Sequence, residues 1–239
     1  MSDVREVVIL SGARTPSGRF EGPLAQVPSV ELGAIAVRAA LERAGVDGAQ
    51  VGEVLMGCVL QGSLGQNPAR QASIRAGVPP ATGATTVNKV CGSSMKAMMM
   101  GAQAIRAGDE DVIVAGGMEN MYLAPYALPG ARAGYRMGDK TVMDLAVHDG
   151  LWCIFQDWHM GMAAEWVANE ANITRERQDQ FAFESQQKAA RAIAAGAFRR
   201  EIAPVEIRDK KGNVTVVDTD DTGRADTTLE TLAKLRPAF

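Results

Sequence analysis

Thr85-Thr86-Val87-Asn88 is a short β-branched run, Gly92 through Ala107 a helix-length stretch stopped at Gly108, and Asp111-Val112-Ile113-Val114-Ala115 a second β-branched run before Gly116-Gly117. A strand, a helix and a strand in this order join as a right-handed crossover, with the two strands parallel. Working back toward the N-terminus, the alternation repeats. Asn67-Pro68 opens a helix as cap and first helical residue, Gly77 closes it, and Val54-Leu55-Met56 reads as the strand before it. From Ser29, read as an N-cap, apolar residues recur at Leu32, Ile35, Ala36, Ala39 and Ala40 until Gly45 supplies a left-handed stop. Glu6-Val7-Val8-Ile9-Leu10, ended by Ser11-Gly12, reads as a buried first strand. Residues 1–117 are therefore expected to form a layered α/β domain with a parallel sheet between helices.

After Gly117 the pattern changes. Met118 to Gly150 is rich in Gly, Pro, Tyr and Met without a strong period, and reads as an insertion or loop subdomain. Helices resume over 160–171 and from the cap candidate Thr174 to about Ala195, and a β-ribbon over 205–217 turns at Lys211-Gly212-Asn213. Residues 118–239 are taken together as a loop domain.

Composition narrows the function. Of 239 residues, 46% are hydrophobic and 22% charged, the balance of an ordinary globular protein. The formal net charge of −3 offers no cationic field for nucleic acid or an anionic membrane. No stretch approaches the roughly 18 uninterrupted apolar residues of a membrane span. The start, Met1 to Glu6, carries no apolar signal core, so a cytoplasmic location is expected. Cys58, Cys91 and Cys153 are odd in number and widely spaced, hence free thiols. With two histidines, His148 and His159, and no H-E-x-x-H, no metal site is expected. Neither G-x-x-x-x-G-K-[ST] nor G-x-G-x-x-G occurs in the Gly-rich stretches, so phosphate or dinucleotide cradling is unsupported.

One residue stands out for chemistry. In Asn88-Lys89-Val90-Cys91-Gly92-Ser93-Ser94 the cysteine falls between a strand and a helix start, at the positive end of the helix dipole. Such a position lowers a thiol pKa and favours the nucleophilic thiolate, as a covalent acyl carrier requires. The competing reading is a small buried hydrophobe, which is what most free cysteines are. Cys58 and Cys153, among apolar neighbours, read as core. Met95, Met98, Met99, Met100, Ala102 and Ile105 make the helix after Cys91 apolar nearly all round, the pattern of an element buried on every side. His159 alone reads as a satisfied structural side chain, and Asp218-Thr219-Asp220-Asp221 as solvated surface.

With these pieces placed, the chain resembles the thiolases, specifically the short-chain biosynthetic-type acetyl-CoA acetyltransferases. The resemblance rests on Ile9 to Pro16, Asn88 to Ser94, Ala115-Gly116-Gly117-Met118-Glu119-Asn120-Met121, His159-Met160-Gly161 and Ala233 to Phe239. It implies a layered α-β-α fold with an inserted loop domain that covers the site, receives coenzyme A and carries a tetramerisation segment. It also implies that Cys91 is acetylated by one acetyl-CoA and then attacked by the carbanion of a second, forming acetoacetyl-CoA reversibly. The Cys91 backbone N–H would help hold the oxyanion. Leu151, His159, Arg224, Thr231 and Phe239 are implied as coenzyme A contacts, and Met160 as a wall of the acyl pocket. Thr231 stands where the family has serine.

No cofactor is implied beyond coenzyme A thioesters as substrates. The partners implied are those small molecules and further copies of the chain as a homo-oligomer, a dimer or tetramer, in cytoplasmic fatty acid metabolism. The family's Gly-His-Pro and Cys-x-Gly motifs do not occur here. The expectation is that the C-terminal half is absent, that the first domain is incomplete, and that condensation by this chain alone is negligible. Two alternatives stay open: a ketoacyl-synthase-type condensing enzyme with the same layered fold, and a non-catalytic assembly protein.

Overall fold

The computed structural model describes residues 5–239; Met1 to Val4, part of the start read as lacking a signal core, lie outside them. In order, α1 is Ser29–Ala44, β1 Glu53–Gly57, α2 Pro68–Arg75, β2 Gly83–Val87, α3 Ser93–Ala107 and β3 Ile113–Gly117. The three strands form one parallel sheet in the order β2-β1-β3, with Gly57 in register with both Val87 and Gly117. The central strand is buried on both faces, as its continuous apolar run requires.

Alternation along β1 builds the layers. Val54 and Met56 pack with Val30, Val37 and Leu41 of α1 and Ala69 and Ala72 of α2. Leu55, on the opposite face, packs with Val87 and Ala97 under α3. Fully burying such side chains contributes about 1.5–3 kcal/mol each. Asn67 caps α2 by accepting the Arg70 N–H, with Pro68 at the first helical position, as its sequence predicts. α1 closes at Gly45 in the left-handed conformation, but its N-cap is Pro28; Ser29 is already helical.

Two expectations are corrected. Glu6 to Leu10 joins no strand ladder among the described residues, and Ile9 is 80% exposed. An apolar β-branched run becomes a strand only where a neighbour takes its peptide groups, and among the described residues no strand pairs with it. The α3 helix is covered on one side only. Ser93, Ala97 and Gly101 face the sheet, whereas Met95, Met98 and Met99 are exposed. Apolar composition all round a helix sets no partner for its outer face.

Residues after β3 contain short pieces: β4 Tyr126–Ala127 pairs with β5 Met143–Asp144, followed by α4 Leu145–His148, and β6 Trp152–Cys153 pairs with β7 Trp158–His159. Then come α5 Met160–Glu170, α6 Arg175–Ala194, the antiparallel ribbon β8 Val205–Arg208 with β9 Val214–Val217, and α7 Leu229–Ala233. Val205 packs with Leu24 and Leu32, so this ribbon closes against the N-terminal layers. Of the acidic run beside it, Asp218 and Thr219 are exposed as read, whereas Asp220 and Asp221 are not solvated surface. Asp220 accepts both terminal nitrogens of Arg14, at 2.7 and 2.9 Å, and the Ser17 N–H at 2.7 Å, while Asp221 accepts the Arg19 N–H at 2.7 Å. Among the described residues no helix is long and apolar enough to cross a membrane.

Candidate functional site

Parallel strands end at the same side of their sheet, and the crevice beyond their carboxyl ends is where α/β folds admit ligands. The residues that follow β1, β2 and β3 meet here. A cleft of about 400 Å³ is lined by Cys58, Val59 and Leu60 after β1, by Val90, Cys91 and Ser94 after β2, and by Met118, Glu119 and Met121 after β3. Leu151 closes it from the loop region.

Two glycines let α3 come this close. A Cβ at Gly57 would stand 2.7 Å from Ser93 Cβ and 2.8 Å from the Ser94 nitrogen, and one at Gly117 would overlap Ser94 Oγ. The start of α3 is thereby seated directly on the ends of β1 and β3. The turn that carries Cys91 is tightly held. Ser93 Oγ accepts the Lys89 N–H at 2.8 Å and donates to the Val90 carbonyl at 2.5 Å, and the Val90 N–H is taken by Asn88 Oδ1 at 3.0 Å. Val90 itself has φ +48°, a left-handed conformation that a β-branched residue rarely adopts. Cys91 immediately precedes the helix cap Gly92 and is exposed. The position read from the sequence is therefore found, and the alternative of a buried hydrophobe is not.

Cys58 is the opposite case: it lines the same cleft yet is 1% exposed. Burial, with the nearby Glu119 carboxylate adding to it, pushes its thiol up to about 12, so it stays protonated at neutral pH. Cys153 is half-buried beside Trp158 in the β6–β7 ladder, less enclosed than a core reading implies.

The remaining candidates divide by place. Leu151 lines the Cys91 cleft, and its carbonyl accepts the Met160 N–H at 2.8 Å, which ties Met160 and His159 to that wall. His159 caps α5: its Nδ1 accepts the Gly161 N–H at 2.9 Å. The structural reading of this histidine is thus met. Its ring also stacks on Phe239, centroids 4.7 Å apart and planes inclined by 19°. Gly161 leaves room for that ring, since a Cβ there would overlap Phe239.

Thr231 is engaged locally, its hydroxyl donating to the Thr228 carbonyl at 2.8 Å in the capping box of α7. Arg224 is fixed through its backbone, whose N–H donates to Gln186 Oε1 at 2.8 Å; among the described residues its guanidinium has no hydrogen-bond partner. Arg224 and Thr231 do not line the Cys91 cleft. In the sequence Glu119 stands out only as part of a motif, although among the described residues it is the one charged side chain lining the cleft. A carboxylate two residues beyond a strand-ending Gly-Gly is the signal that could have singled it out.

Comparison with known proteins agrees with this arrangement. The family described as "Thiolase, N-terminal domain" matches residues 7–239. Acetyl-CoA acetyltransferases of Pseudomonas aeruginosa and Cupriavidus necator are 54% and 53% identical over 99% and 98% of this chain. The structure of an acetyl-CoA acetyltransferase from Syntrophomonas wolfei superposes with a TM-score of 0.94 at 42% identity, covering 99% of this chain and 59% of that one. The chain spans about 60% of the length of the two sequence relatives. With a cysteine turn seated where three parallel strands end, and a family match over nearly its whole length, the chain belongs to the thiolase family through that family's N-terminal domain.

Proposed function

We propose that the chain carries the acyl-loading centre of an acetyl-CoA C-acetyltransferase. The observation that carries this reading is Cys91, exposed on a strained turn at the mouth of the cleft, beside a second cysteine that burial keeps protonated. The Cys91 thiolate attacks the carbonyl carbon of acetyl-CoA, and the resulting oxyanion collapses with loss of the coenzyme A thiolate, which leaves as the thiol once protonated. Acetyl-Cys91 remains. In the full reaction a second acetyl-CoA loses an α proton to a base. Its carbanion then attacks the acetyl carbonyl, a carbon–carbon bond forms, and the Cys91 thiolate departs. Two acetyl-CoA give acetoacetyl-CoA and coenzyme A, and every step is reversible.

In this reading Leu151 guides the thioester arm at the cleft, His159, Phe239, Thr231 and Arg224 contact coenzyme A, and Met160 bounds the acyl group. The free guanidinium of Arg224 supports stacking on an adenine, for which a planar cation is suited. Coenzyme A thioesters are the substrates, and the chemistry calls on no separate cofactor. The reading extends to a homo-oligomer, a dimer or tetramer, in cytoplasmic fatty acid metabolism. Exposed Leu128, Val142 and the fully exposed Met137 (100%) support assembly through the 118–150 segment.

Intact-mass and peptide-level mass spectrometry after adding acetyl-CoA tests the proposal. One acetyl group should appear on the peptide containing Cys91 and be lost with hydroxylamine. A Cys91→Ala chain that gains an acetyl group as readily as the parent overturns it.

A further inference from the structure

The residues that follow β3 are tied down one after another. Met118 is buried in the core shared by β1, α1 and α2. Glu119 Oε2 accepts the N–H groups of Val59 and Leu60, at 2.8 and 3.3 Å, which binds the segment to the exit of β1. Asn120 makes the densest tie. Its Nδ2 donates to the carbonyls of Leu24, Ala25 and Val27, at 3.3, 3.0 and 2.7 Å, and its Oδ1 accepts the N–H groups of Tyr122 and Leu123, at 3.0 and 3.3 Å. Three carbonyls call for a donor and two N–H groups for an acceptor, a set that a carboxamide serves and a carboxylate, which only accepts, does not. The turn that Asn120 grips is itself fixed: the Val27 N–H donates to the Leu24 carbonyl at 3.0 Å, and Leu24 is buried with Leu32 and Val205.

Met121 comes next in the chain, half-buried, and lines the Cys91 cleft. It lies in neither helix nor strand, so no ladder of its own fixes its place. That place depends on the ties of its neighbours. We propose that Asn120 is a positioning residue: by fastening the exit of β3 to the 24–27 turn it holds Met121 as a wall of the Cys91 cleft, and so limits the size of group that reaches the Cys91 sulfur. As a statement about the reaction, this rests on the reading of Cys91 as the acyl acceptor.

The test compares iodoacetamide with its N-benzyl derivative at Cys91 of the full chain. The two agents share a reacting group, so the quotient of their rates cancels any change in the thiolate fraction, and Cys153, which is not among the residues lining the cleft, is the reference in the same sample. Asn120→Asp keeps the shape and the acceptor for Tyr122 and Leu123 but sets an oxygen against three carbonyls. The benzyl-to-parent-reagent quotient at Cys91 should rise by roughly threefold or more, with that of Cys153 unchanged. Met121→Ala should reproduce the rise. Thr174→Ala, which removes the cap of α6 away from the cleft, lowers stability without changing the Cys91 quotient.

A Cys91 quotient unaltered by Asn120→Asp, or raised as much by Thr174→Ala, overturns the proposal, since either result makes Asn120 a loop fastening with no hold on the cleft. A rise in Asn120→Asp without one in Met121→Ala overturns it as well. Should Asn120→Asp show no cooperative unfolding transition, Met121→Ala decides: an unchanged quotient overturns the proposal and a raised one supports it. Alkylation needs no acyl transfer, so failure of acetyl-CoA to label Cys91 would sink the functional reading and leave this result standing.

Discussion

The guanidinium of Arg14 grips the Asp220 carboxylate through both of its terminal nitrogens, at 2.7 and 2.9 Å, and joins the first loop of the chain to the segment after β9. Asp220 also receives the Ser17 N–H, and its side chain is only 12% exposed. The hydrogen bond from Arg14 is the main cause that holds the Asp220 carboxyl below the usual carboxylate range. A folded-state pKa below the unfolded one stabilises the protein above the unfolded value, near 3.9, and that contribution is lost as pH falls through the folded value. Asp220→Asn should therefore lower stability at neutral pH by about 1.5–3 kcal/mol, the worth of charge-assisted hydrogen bonds. Urea unfolding from pH 7 downward checks this: the gap between variant and parent should close below about pH 4.

Gly57 makes a separate prediction, because its missing Cβ is what lets α3 reach the sheet. The atoms a Cβ would meet are Ser93 Cβ and the Ser94 backbone nitrogen, neither of which can swing aside. Gly57→Ala should displace the first turn of α3 and destabilise the fold by about 1–3 kcal/mol, the usual cost of overpacking. The rate of Cys91 alkylation should change in the same variant. Gly83→Ala, where a Cβ meets nothing closer than 3.8 Å, is the control and should leave both measurements nearly unchanged.

These two cases mark what a sequence can and cannot disclose. Elements governed by local chemistry are legible: the Asn67-Pro68 start of α2, the Thr174 cap of α6 and the ribbon turning at Lys211-Gly212-Asn213 all depend on residues within a few positions of one another. Cys91 was legible for the same reason, as a strand-to-helix turn states its own geometry. What escaped depends on residues distant in the chain. Asp220 and Asp221 read as solvated with the rest of their run until Arg14, Ser17 and Arg19 are brought to them from some two hundred positions away. Glu6 to Leu10 has strand composition without an adjoining strand, and the outer face of α3 has core composition without a covering layer. Glu119 looks like one motif residue among seven until the Val59 and Leu60 N–H groups are found on one of its oxygens.

Val90 offers a test of stored strain. At φ +48° a β-branched side chain crowds its own backbone, and the conformation is held by Ser93 Oγ and Asn88 Oδ1 rather than by the preference of the residue. Asparagine tolerates this region far better, and half of the Val90 side chain is already in solvent, so little burial is lost. Val90→Asn should raise stability by about 1 kcal/mol, where replacing an apolar residue ordinarily lowers it. Ser93→Ala should have the opposite effect, because it leaves the Lys89 N–H without its acceptor. Thermal unfolding of the two variants beside the parent checks the signs.

His159 serves two contacts that a pair of substitutions can separate. Its Nδ1 caps α5 through the Gly161 N–H, and its ring face lies on Phe239. His159→Asn keeps a short acceptor at a position where asparagine is a good N-cap, but removes the aromatic face. His159→Ala removes both. If the cap carries the stability, alanine should cost about 1 kcal/mol and asparagine much less. If the stack on Phe239 dominates, the two variants and Phe239→Ala should all lose a similar amount, within the roughly 0.5–1.5 kcal/mol of an aromatic pair. The cap contact is internal to one helix start, whereas the stack joins α5 to the segment after α7, so the cap is expected to outweigh the stack. Chemical denaturation of the three variants, read as differences from the parent, distinguishes the outcomes, and near-equal losses in all three would overturn that expectation.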